Sequence, residues 1–281
     1  MLRSVLFVPA VNERALEKAR GLPCDALIID CEDGVAPARK AEAREAAVGA
    51  VESGGYGARR VAVRVNGLGT EWFPDDVRAV VEAGAADVVV PKVGSAAEAH
   101  AAAHAVDAAG AAPHVAIWAM IETPAGVLDA AAIAASPRVR ALVVGTNDLA
   151  SELRAARVPG RTPLLHALGA CVMAARAAGV DVLDGVFNDT GDPEGLACEC
   201  RQAAAMGFDG KTLIHPGQIA AANAAFSPSD DDVARARRIV DAFAAHPDAG
   251  VLTVDGAMAE ELHLREARRV LARARAGGPQ P

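Results

Sequence analysis

"VAIWAMIETPAGV", residues 115–127, decides the fold. Its first seven residues are continuously apolar and read as a strand buried on both faces. Thr123 and Pro124 then start a helix, because Thr caps the free N–H groups of a first turn and Pro suits the first helical position. One carboxylate, Glu122, stands where the buried strand runs out.

The same unit recurs along the chain. Apolar, β-branched runs occur at 4–9, 26–30, 61–65, 87–91, 115–121, 141–145, 180–187 and 208–215. Between them lie Ala-rich segments of helical periodicity, such as "PARKAEAREAAVGAVES" and "SAAEAHAAAHAVDAAG", opened by Ser, Thr, Asp or Pro and closed by Gly. Eight strand–helix units predict an α/β fold, a closed (β/α)8 TIM barrel, over residues 1–226. Residues 227–281 form a C-terminal helical extension, with helices over "SDDDVARARRIVDAFAAH" and "AMAEELHLREARRVLARARA" and a frayed "GGPQP" end.

Composition narrows the function. The chain has 281 residues, 52% of them hydrophobic but only 3% aromatic, so the core is aliphatic and packed through small side chains. The net charge of −8 is spread rather than blocked, which argues against a nucleic-acid or membrane surface. The basic stretch "REARRVLARARAG" reads as a solvated helix face. The start, "MLRSVLFVPA", enters a strand at once without signal-peptide features, and no apolar run reaches the roughly 20 residues of a membrane span, so a cytoplasmic protein is expected. Cys24, Cys31, Cys171, Cys198 and Cys200 lack zinc-site spacing and read as buried free thiols. His100 and His104 are four apart on a helix but have no general-base Glu between them, and "GLGTEW" lacks a full dinucleotide fingerprint.

In a barrel, the C-terminal strand ends converge on one mouth where the chemistry is done. Those ends carry Asp30, Glu32, Asp33, Arg64, Asn66, Lys92, Glu122, Asp148, Asn188, Asp189, Lys211 and His215. Glu122 and Asp148 are read as sitting on adjacent strands with no His or thiolate beside them in sequence, a donor set for a hard cation such as Mg²⁺; a structural ion-pair network is the alternative. Arg64 offers a two-pronged donor to a carboxylate or developing enolate oxygen, and an ion pair with Asp30 or Glu32 is equally compatible with its position.

Taken in order, "RSVLFVPA", "IIDCEDGVAP", "VRVNGLGT", "VPKV", "IETPAGV", "GTNDL" and "DPEGLACECRQAAAMGFDGKTLIHPGQIAAANAAFSPS" resemble the citrate lyase β-subunit family. That family includes malyl-CoA and citramalyl-CoA lyases, within the HpcH/HpaI aldolases built on the phosphoenolpyruvate/pyruvate barrel. The resemblance implies a Mg²⁺-dependent carbon–carbon lyase that converts a 3-hydroxyacyl-CoA ester to acetyl-CoA and a 2-oxo acid. It implies Mg²⁺ on Glu122 and Asp148, Arg64 facing the reacting oxygens, and Arg14, Lys18 and His215 along the CoA thioester and nucleotide. It also implies a homo-oligomer, trimer or hexamer, whose C-terminal segment brings a general-base Asp into a neighbour's site. Here the sequence departs: Glu260 stands at the Asp position and no Pro follows. Asp30 and Glu32 are the other candidate bases. Three further readings stay open: a β subunit acting on citryl-acyl-carrier protein, thioester hydrolysis by the same parts, and a barrel that binds CoA or a dicarboxylate without turnover.

Overall fold

A computed structural model describes residues 1–276; the expected frayed end at 277–281 lies outside them. The eight strands are β1 (Ser4–Pro9), β2 (Ala26–Asp30), β3 (Arg60–Arg64), β4 (Asp87–Val90), β5 (Ala116–Ile121), β6 (Val139–Val144), β7 (Asp181–Asp184) and β8 (Gly210–Leu213). Each pairs in parallel with its sequence neighbours, and β8 pairs with β1, so the sheet closes as the eight-unit pattern predicts.

Alternation along each strand divides the barrel into lumen and outer face. Val5, Ile28, Ala62, Val89, Trp118, Met120, Val143 and Leu183 pack together, with Phe7 against them. Two-residue steps from this set lead upward to Asp30, Arg64 and Glu122, which therefore point into the mouth. Lower down, Asp87 accepts from Trp118 Nε1 at 2.9 Å and from Arg60 Nε at 2.9 Å. The helices approach closely because their inner faces are small, as with Ala43, Ala47 and Ala50 in Lys40–Ser53. Thr123 caps Pro124–Leu128 by accepting from Gly126 N at 3.0 Å, the helix start read from the sequence.

Lys211 requires a correction. Thr212 and Ile214 line the mouth, which puts Lys211, one residue out of phase, on the outer face. There its fully buried ammonium donates to Asp184 and Glu199, each at 2.7 Å, and Arg161 reaches the same two acids at 2.7 and 3.3 Å. Lys211→Met would strand one charge of this quartet, and an expected loss of about 3 kcal/mol in unfolding free energy follows. Denaturant titration checks it; a change under about 1 kcal/mol would mean that Arg161 alone satisfies both acids.

The contacts divide the chain into two compact units, Leu2–Asn223 and the residues from Ala224 onward. The second contains helices Asp230–Ala245 and Glu261–Ala276 and an antiparallel hairpin, β9 (Val251–Val254) and β10 (Ala257–Glu260). Its own core joins Ile239, Phe243, Ala259 and Leu264. The single helix expected over 257–276 is thus overturned in its first turn: Asp255 and Gly256 have φ of 53° and 78°, which folds the chain back and makes 257–260 a strand.

Candidate active site

A cavity of about 300 Å³ opens at the C-terminal strand ends, lined by Phe7, Asp30, Asp33, Arg64, Met120, Glu122, Gly145, Thr146, Asn147, Asp148 and Thr212, among others. Glu122 is only 1% exposed. One oxygen accepts from the Lys92 backbone N–H at 2.8 Å. Gly145, between β6 and the next helix, leaves room for the carboxylate, since a Cβ there would stand 2.2 Å from the other oxygen. Asp148 comes from the first turn of the helix Thr146–Glu152 rather than from the strand itself.

Burial, reinforced by the negative charge of Asp148, pushes the Glu122 carboxyl up to about 7. A raised carboxyl means the folded chain binds this proton more tightly than the unfolded chain. Stability therefore falls as pH rises from the ordinary 4.5 through about 7 and carries the full penalty above that. The penalty amounts to roughly 3 kcal/mol at most. The metal-free protein should lose thermal stability between pH 5 and 8, and Glu122→Gln should remove much of that slope. Parallel melting curves for the two proteins across this range would contradict the assignment.

The donor set fits a hard divalent cation: two carboxylates, one of them desolvated beside a like charge that a cation would relieve. Among the described residues no group of three or more His, Cys, Asp and Glu is placed to hold a metal. Two carboxylates leave the remaining positions to water and substrate oxygens, which suits Mg²⁺.

Arg64 resolves as an ion pair that also faces the cavity. Its Nε and Nη2 donate to the two Asp30 oxygens, both at 2.7 Å, and Nη1 lies 3.0 Å from Glu32. The guanidinium stacks 4.8 Å from the centre of the Phe7 ring. Asp30 and Arg64 are direct register partners on β2 and β3, so the fork follows from strand pairing. Burial alone would raise Asp30, but the Arg64 fork and the amides of Glu32 and Gly34 outweigh it and hold the carboxyl below its usual range. Glu32 is raised by burial against the pull of Arg64 and Lys92. Lys92 Nζ bonds to Glu32 and lies 3.5 Å from Asp33. Asp30 and Glu32 are thus committed to these cations, while the Asp33 side chain is 56% exposed at the mouth.

The other predicted residues are spread out. Arg14 lines a second, open cavity of about 470 Å³ with Pro9, Asn12 and Arg39, and Pro9 also borders the mouth. Lys18 is exposed on the helix Glu13–Ala19. His215 is exposed and accepts from Gly217 N at 3.1 Å. Asn66 is a structural residue, donating to Asp76 at 2.6 Å. Glu260 ends β10 in the second unit, its N–H donating to His263 Nδ1 at 3.0 Å. Phe7 and Met120 also line the cavity, beyond the residues expected from the strand ends, and two-residue phasing places both below the mouth acids.

A closed barrel with paired acids at its mouth defines a class of enzymes, and the sequence narrows it: residues 3–216 match the HpcH/HpaI aldolase/citrate lyase family, to which this chain belongs. It is 49% identical to a (3S)-malyl-CoA thioesterase of Cereibacter sphaeroides, over 98% of this chain and 95% of that one. It is 36% identical to the citrate lyase subunit beta of Escherichia coli, over 98% and 94%. Among solved structures, the CitE protein of Mycobacterium tuberculosis in complex with magnesium, acetoacetate and coenzyme A shares 34% identity, with a TM-score of 0.80 over 96% of this chain and 97% of that one. A citrate lyase beta subunit of M. tuberculosis, solved in complex with oxaloacetate and magnesium, is also 34% identical, with a TM-score of 0.69 over 81% of this chain and 99% of that one. No helix among the described residues is long and apolar enough to cross a membrane.

Proposed function

We propose that this chain acts with Mg²⁺ on a 3-hydroxyacyl-CoA ester such as malyl-CoA or citramalyl-CoA, cleaving or forming the bond between its α and β carbons. The observation that carries the reading is the convergence of Glu122, Asp148 and Arg64 on one cavity. Relatives that bind magnesium, CoA and 2-oxo or 3-oxo acids support it. Glu122 and Asp148 would hold Mg²⁺, which when bound would supply Lewis acidity toward the substrate hydroxyl and carboxylate. Arg64, locked in its fork, offsets negative charge as the enolate oxygen develops. The apolar floor of Phe7 and Met120 keeps the reacting carbons away from bulk water. Arg14 offers positive charge for CoA phosphates beside the mouth, with Lys18 and His215 as further candidates.

Hydrolysis of the same thioester is a second reading, favoured by the 49% identity to a thioesterase. Incubating the protein with malyl-CoA and Mg²⁺ and identifying products by mass decides between them. Acetyl-CoA with glyoxylate supports cleavage, and malate with free CoA supports hydrolysis. No product from any of a panel of hydroxyacyl-CoA esters would sink both.

The subunit arrangement is proposed on the same footing: a homo-oligomer, trimer or hexamer, in which Glu260 serves a neighbour's site as general base. Glu260→Gln should then lose cleavage while keeping Mg²⁺ affinity, and mixing it with Glu122→Gln protein should restore activity through hybrid sites. Absence of complementation after confirmed subunit exchange would place the base within its own barrel.

A further inference from the structure

Lys92 follows β4 at the mouth with φ of 56°, a left-handed conformation that a side chain makes unfavourable. Two contacts accompany it. The left-handed turn directs the Lys92 N–H to Glu122 Oε1 at 2.8 Å, and the next amide, Val93 N, bonds to Met120 O at 3.2 Å. The side chain, 44% exposed, runs the other way, with its ammonium on Glu32 and 3.5 Å from Asp33. Glu32 in turn lies 3.0 Å from Arg64 Nη1. One residue therefore touches both halves of the site, the metal acid through its backbone and the guanidinium through an intervening carboxylate.

We propose that Lys92 is a positioning residue with two separable tasks: its left-handed backbone aims the amide that orients Glu122, and its ammonium holds Glu32 against the Arg64 fork. The inference rests on the assignment of Glu122 to Mg²⁺. Strain retained at a site of this kind has to be maintained by the surrounding contacts, and here those contacts are the functional side chains themselves. The Lys92 ammonium feels the Glu122 charge only weakly and, being a cation, opposes rather than favours binding of a second cation there, so the ammonium itself does not explain metal affinity.

The test is a series of neutral replacements: Lys92→Gly, Lys92→Asn, Lys92→Ala and Lys92→Val. All four remove the same charge, and they differ in tolerance of positive φ, with Gly best, Asn next, and β-branched Val worst. Calorimetric titration of the metal-free proteins with Mg²⁺ should give Gly and Asn affinities equal to or tighter than wild type. Ala should be weaker, and Val weaker still by about 10- to 100-fold, the cost typical of losing an outer partner of a metal ligand. If Val fails to fold, the order Gly, Asn, Ala still decides. At saturating Mg²⁺, the Gly and Asn variants should show kcat lowered by roughly 10-fold or more with metal affinity intact, because Glu32 no longer holds Arg64 in place. Equal Mg²⁺ affinity across the series overturns the backbone task, and unchanged kcat in the Gly and Asn variants overturns the ammonium task. A wild-type protein that binds no Mg²⁺ would sink the metal assignment itself, a failure distinct from either.

Discussion

Glu122→Gln is expected to abolish turnover and to weaken Mg²⁺ binding by more than about 100-fold, beyond what loss of a hydrogen-bond partner of a ligand costs. The amide keeps the volume and can still accept from the Lys92 N–H, so the barrel should fold normally. What disappears is the negative charge that a hard cation requires. Stability of the metal-free protein should change in the opposite direction: above pH 7 the variant should be the more stable one, because a carboxylate raised to about 7 by burial and by Asp148 no longer has to ionise. Loss of binding together with a gain in metal-free stability marks a ligand held ready at a cost in folding. Calorimetry and melting curves on the same samples test both, and undiminished Mg²⁺ affinity would remove Glu122 from the metal site.

Arg64→Lys should reduce turnover by about 10² to 10³, the usual effect of losing one preorganised donor at a developing oxyanion. The substitution keeps a positive charge but loses the planar fork that spans both Asp30 oxygens. Lysine reaches one acid at a time, so Asp30 and Glu32, 4% and 6% exposed, no longer share a fixed partner. A stability loss of about 1–3 kcal/mol should accompany the kinetic one. The two are separated by measuring kcat well below the unfolding temperature at saturating substrate and Mg²⁺. Turnover near that of wild type would leave Arg64 with the structural role alone.

Much of this site follows from reading strand ends in order. Glu122, Arg64 and Asp30 sit at the tops of apolar runs and share the phase of the lumen residues, so alternation alone points them into the mouth. Lys211 shows how the same reading miscarries when phase is ignored, since one residue's offset turns its ammonium outward to Asp184 and Glu199. The hairpin β9–β10 was legible too, because Asp-Gly between two short runs is a turn signal, but the helix-forming composition after it masked the strand.

The sequence by itself determined the barrel, the family and the identities of the mouth residues, because periodicity and residue chemistry are local properties of the chain. Whether Arg64 stands free or paired was decided only when β2 met β3 with Asp30 opposite Arg64, a register fixed by closure of the whole sheet. The elevated Glu122 carboxyl likewise required the fold: it arises from burial at the barrel mouth and from the charge of Asp148, which the helix after β6 brings beside it. Desolvation and like-charge proximity depend on what surrounds a group in three dimensions, and a linear pattern of residues does not encode those surroundings.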